Sequence, residues 1–94
     1  MALTFEWDSR KAKSNLAKHG VGFEEASTIF GDLSSLTIPD PEHSLSEERY
    51  ITMGRAFTAK LLVVVHTDRS DNIRIISARR PSRRERKFYE EVIE

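Results

Sequence analysis

Cysteine is absent from these 94 residues, which excludes a disulfide framework and any thiolate metal site and fits a reducing compartment. Histidine is nearly as scarce. His19, His43 and His66 stand far apart with no H-x-x-x-H or comparable spacing, so no metal and no cofactor is expected. Long apolar runs are missing too: the longest, "LLVVV", falls far short of the roughly 20 residues of a membrane span, and "MALTFEWDSRK" holds no apolar leader segment. These absences predict a soluble cytoplasmic chain, one domain over 1–94, with a single modest core and room for one site.

What is present is charge, and it is segregated. The formal net charge is zero, yet residues 1–47 hold four Lys/Arg against eight Asp/Glu, and residues 48–94 hold eleven against seven. Within nine positions, "RRPSRRERK", stand Arg79, Arg80, Arg83, Arg84, Arg86 and Lys87. A helix N-terminus carries partial positive charge and disfavours cations, so this cluster works against local stability and implies an anionic partner. Five of the six are arginine, whose planar fork matches phosphate bidentately where lysine offers a point charge.

The periodicity predicts an α+β architecture. "TFEW" reads as an edge strand, and Asp8 offers an N-cap for a helix through His19 that Gly20 ends. A second helix is predicted over Phe23–Phe30 from the spacing of Phe23, Ala26, Ile29 and Phe30. The period then changes to two in "SSLTI", "ERYITMGR", "KLLVVVHT" and "NIRIISAR", an antiparallel meander with "LLVVV" central because it is apolar on both faces. Pro81 ends the last strand, and Ser82 with Glu85 forms a capping box for a helix over Arg83–Ile93. The expected order is β-α-α-β-β-β-β-α, with the helices on one face of a twisted antiparallel sheet of three to five strands.

Metal-free RNA cleavage needs a base for the 2′-OH, cations for the phosphorane and an acid for the leaving oxygen. Arg79, with Arg74 or Arg83, suits the phosphate. Glu48 and His66 are the candidate bases, while Glu85 is explained by the capping box. Tyr89 suits stacking or proton donation, and also a core position. Arg83, Arg86 and Lys87, three and four apart, form one cationic stripe on the helix, and with Arg80 at the strand end they suit RNA. Lys18 and His19, at the end of the first helix, also complement its dipole.

The blocks "FEWD", "NLAKHGVGFEEA", "ERYITMGR", "LLVVVHTDR" and "RIISAR", in this order from Phe5 to Tyr89, resemble the BrnT family of type II toxins. The resemblance implies a RelE-like fold, metal-independent ribonuclease activity that arrests translation, and neutralisation by a cognate BrnA antitoxin. It implies a hetero-oligomer with that antitoxin, a heterotetramer being one arrangement, and contact with DNA only through the antitoxin. Carried over by position, it points to Lys18, His19, Glu48, Arg49, Arg74, Arg79, Glu85 and Tyr89. Ser9 replaces the usual proline, Gly22 a frequent serine, and Arg80 a lysine. The alternative reading is a non-catalytic basic module that binds an acidic protein and acts in autoregulation of its operon; direct DNA reading is disfavoured because no recognition helix or zinc-finger spacing is present.

Overall fold

A computed structural model describes residues 3–43 and 47–93. Strand β1 (Thr4–Glu6) leads into helix α1 (Ser9–His19) and a short helix α2 (Phe23–Ser27). Strands β2 (Leu36–Pro39), β3 (Tyr50–Arg55), β4 (Leu61–Arg69) and β5 (Asn72–Arg79) follow, and helix α3 (Arg83–Ile93) closes the chain. The sheet order is β1-β5-β4-β3-β2, which puts the "LLVVV" strand at the centre and "TFE" at an edge. Part of the loop expected between β2 and β3 lies outside the described residues.

Local chemistry explains the helix ends. The Asp8 carboxylate accepts the Arg10 and Lys11 amides at 2.8 and 3.1 Å, satisfying donors that the first turn leaves unpaired. Gly20 adopts the left-handed region, φ 70°, and returns its N–H to the Leu16 carbonyl at 2.9 Å. The second helix is shorter than its apolar spacing predicts, giving way to a 3₁₀ turn over Thr28–Gly31. The Ser27 and Thr28 hydroxyls donate to the Glu24 and Glu25 carbonyls, each at 2.7 Å, and such side-chain bonding competes with continued α-helix.

Two features differ from the sequence expectation. The sheet is mixed, because β1 pairs in parallel with β5, Phe5 beside Ile73, while β2 to β5 form the antiparallel meander. The helices also occupy both faces. Alternation along β4 sends Leu62 and Val64 into a core with Phe23, Ala26 and Ile29 under α1 and α2, while Leu61 and Val63 join Met53 and Tyr89 beneath α3. A strand apolar on both faces requires cover on both, and α3 supplies the second layer.

Asn15, buried in α1, ties that helix to β5. Its amide donates to the Ala78 and Val21 carbonyls at 2.8 and 3.0 Å and its oxygen accepts the Ala78 N–H at 3.1 Å. The end of β5 is therefore held rigidly where the arginine cluster begins.

Candidate active site at the junction of β5 and α3

Arg79 is the last residue of β5, and its register opposite Val63 turns it to the face that α3 covers. There it meets Glu85 in a two-pronged pair, Nη1 to Oε1 at 2.8 Å and Nη2 to Oε2 at 2.9 Å, while Nη1 also donates to the Arg80 carbonyl at 3.3 Å. Glu85 fills a second role. Its Oε1 accepts the Ser82 N–H at 2.8 Å and its own N–H donates to Ser82 Oγ at 3.1 Å, completing the expected capping box.

Arg79 above all, and then the Ser82 amide, hold the Glu85 carboxyl down to about 2, against the effect of burial. Glu85 pushes Arg79 further above its already high value. Both side chains remain accessible, 40% and 31% exposed, so an incoming anion can compete for the guanidinium. The first turns of α3 add Arg83, Arg84 and Lys87, all exposed, and Arg86, whose Nη1 lies 3.9 Å from Glu90. The helix N-terminus, four cations and an arginine in bidentate contact with a carboxylate gather positive charge at this junction in a geometry that suits an anion.

The other residues expected at the site are dispersed. Arg74 shares the sheet face of Arg79 but lies roughly 15 Å back along β5 by strand rise, bound to Glu6 at 2.8 Å. Arg74 accordingly lowers the Glu6 carboxyl. His66 points to the opposite face, 3% exposed, with Nε2 2.7 Å from Thr52 Oγ1, Nδ1 3.3 Å from Asp68, its ring against Phe30 and stacked on Tyr50. Burial pushes its imidazole below the ordinary value, opposed by Asp68. The exposed Glu48 carboxylate accepts from Tyr50 at 2.8 Å, on the His66 side. Neither expected base therefore stands beside Arg79.

Tyr89 is 1% exposed and gives its hydroxyl to Asp32 at 3.0 Å; its ring packs in the core and is not presented for stacking. Arg80 and the Lys18–His19 pair are exposed, the latter lining a depression of about 200 Å³ between α1 and β5. Arg49 is half-buried before β3, its carbonyl accepting the Asp40 N–H at 2.8 Å. Among the described residues, no group of three or more His, Asp or Glu is placed to hold a metal ion.

The family model described as "Ribonuclease toxin, BrnT, of type II toxin-antitoxin system" matches residues 7–85. The chain belongs to the BrnT family. Its fold is also that of the Brucella abortus ribonuclease toxin BrnT, solved at 1.1 Å resolution: TM-score 0.68 at 22% identity, over 87% of this chain and all of that one. A comparison with curated proteins gives no match. The family is one of ribonuclease toxins from type II toxin-antitoxin systems, so an RNA target and an antitoxin partner come with membership. No described helix is long and apolar enough to cross a membrane.

Proposed function

We propose that this chain is a metal-independent endoribonuclease that arrests translation in the cytoplasm and is neutralised by a BrnA-like antitoxin in a hetero-oligomer, DNA being reached only through that partner. The observation that carries the reading is the accessible Arg79–Glu85 pair at the cationic start of α3, in a chain of this family. An RNA phosphate offers Arg79 the same bidentate geometry as Glu85 and displaces it. The freed carboxylate, no longer stabilised by the guanidinium, regains basicity beside the bound phosphate.

Glu85 then takes the 2′-OH proton while the 2′-oxygen attacks phosphorus. Arg79 stabilises the phosphorane charge, and the 5′-oxygen leaves by taking a proton from solvent water, giving a 2′,3′-cyclic phosphate and a 5′-hydroxyl while Glu85 returns its proton to solvent. Arg83, Arg86, Lys87 and Arg80 hold flanking phosphates, Arg74 a more distant one. Lys18, His19 and Arg49 lie outside this contact. Glu85 replaces Glu48 and His66 as base because those two are turned to the other side of the sheet.

The experiment is cleavage of a single-stranded RNA in EDTA against the same strand with 2′-deoxyribose throughout. Cutting of the first alone, with cyclic phosphate ends, is expected; cutting of both strands, or cutting restored only by a divalent ion, overturns the mechanism. The tight satisfaction of Arg79 by Glu85 also suits a basic module that only binds an acidic protein, and an RNA left intact at high protein concentration, with tight binding of such a partner, selects that reading.

A further inference from the structure

Beside the catalytic junction, and on the same face of the sheet, runs an apolar groove of about 310 Å³ between α3 and the edge strand β2. Its floor is Ile51 and Met53, one wall is Leu36 and Ile38, and the other is Phe88 with Arg84. Ile38 is 57% and Phe88 55% exposed, and Val92, one turn beyond Phe88 on α3, is 52% exposed. Large apolar side chains left open side by side mark a contact surface.

We propose that this groove is the docking site for an amphipathic, acidic segment of a protein partner, and that its occupant blocks the Arg79–Glu85 site. The lining decides against a nucleobase: its polar edges would be buried against four aliphatic walls with few groups to bond them, whereas Leu, Ile or Phe side chains lose nothing there. Charge decides the partner's sign. Arg84 stands in the groove wall and Arg83 and Lys87 on adjoining turns of α3, all exposed. Among the described residues that line the groove, Glu85 is the one carboxylate, and its charge is already matched by Arg79.

Position decides the consequence. Glu85 lines the groove and also grips Arg79, so anything seated there lies against the guanidinium that receives phosphate. The inhibitory part of the inference rests on the ribonuclease reading; the docking part does not.

The test uses the full chain and a purified antitoxin that binds it. Ile38→Glu and Phe88→Glu each place a carboxylate in the groove at an exposed position, and thermal midpoints confirm that both fold. Each is expected to weaken partner binding by about 30-fold or more, the loss typical of an interface anchor. Arg84→Ala is expected to weaken it and to flatten its salt dependence. Leu16→Glu, on the outer face of α1, is the control and leaves binding unchanged.

Affinity for an uncleavable 2′-deoxy-substituted strand is expected to stay level in Ile38→Glu, and that variant is expected to cut RNA even with the partner present. Partner affinity unchanged in both groove variants overturns the inference. So does loss of strand binding with partner binding intact, which assigns the groove to a nucleobase, or loss of a self-associated species, which assigns it to a second copy of this chain. If the parent protein cuts no RNA yet the groove variants lose the partner, the ribonuclease reading fails and the docking site stands.

Discussion

Replacing Glu85 by Gln separates its two roles, because Gln can still accept the Ser82 N–H in a capping box but carries no charge for Arg79. The carboxyl falls from its ordinary 4.5 to about 2 on folding. At about 1.36 kcal/mol per unit this corresponds to an upper bound of about 3 kcal/mol. The side chain is 31% exposed and Arg79 40%, so solvent screening reduces the expected contribution to roughly 1–2 kcal/mol. A carboxyl depressed in the folded state stabilises above the unfolded value and stops doing so as pH falls through the folded one. The gap between parent and Glu85→Gln should therefore be full at pH 7, shrink below about pH 4.5 and close near pH 2.

Urea denaturation at pH 7, 5, 4 and 3 measures this difference directly, and acids elsewhere cancel because both proteins carry them. In thermal melts the pH 7 gap corresponds to roughly 5–15 °C for a chain of this size. A gap of the same size at every pH would refute the ion pair as its source. In cleavage assays Glu85→Gln is expected to lose activity while keeping RNA affinity, since the proposed mechanism then lacks its base and Arg79 is freed for phosphate.

Further outcomes follow from other parts of the structure. Asn15→Ala strands the Ala78 N–H and C=O and the Val21 carbonyl, and is expected to cost about 2–4 kcal/mol in denaturant unfolding; a loss under 0.5 kcal/mol would show that α1 is held by other contacts. His66, buried beside Thr52 and Phe30, is expected to titrate below the ordinary histidine range by NMR. Its share of stability declines as pH falls from 7 towards 5, because the unfolded chain takes up the proton first; titration above that range would mean that Asp68 outweighs burial. Arg83→Ala and Lys87→Ala are each expected to weaken RNA binding and to lower the slope of log K against log salt by about 0.7 to 1, and an unchanged slope would remove that residue from the phosphate path.

The helix ends and strand order were readable because their causes are local. Asp8, Gly20 and the Ser82–Glu85 box each act within four residues, and α1 begins and ends, and α3 begins, where those residues predict. Apolarity on both faces makes the central place of β4 equally legible. The layer that α3 joins is not local: its apolar stripe says that one side is buried, and only the two-faced apolarity of β4 hints that it lies across the sheet from α1. The parallel pairing of the three-residue β1 depends on how α1 docks, which no short pattern carries.

At the site, the arginine cluster was visible as composition, but a strand's two faces separate what the sequence groups. Arg79 and His66 stand on opposite sides of the sheet although both fit the chemistry. Asn15 carried a signal of its own, a polar residue on the same helical face as Ala12, which packs against the core. Glu85 was concealed by having a sufficient structural explanation in the capping box; the structure shows that it also pairs with Arg79.

The central claim is that the Arg79 guanidinium binds the scissile phosphate and its developing charge. The direct measurement is the single-turnover rate of RNA cleavage in EDTA by Arg79→Ala, with thermal unfolding confirming the fold and binding of a 2′-deoxy-substituted strand measured alongside. The expected result is a rate reduced by about 100-fold or more, with strand affinity reduced far less because Arg80, Arg83 and Lys87 remain. A folded Arg79→Ala protein that cuts RNA at the parent rate contradicts the account.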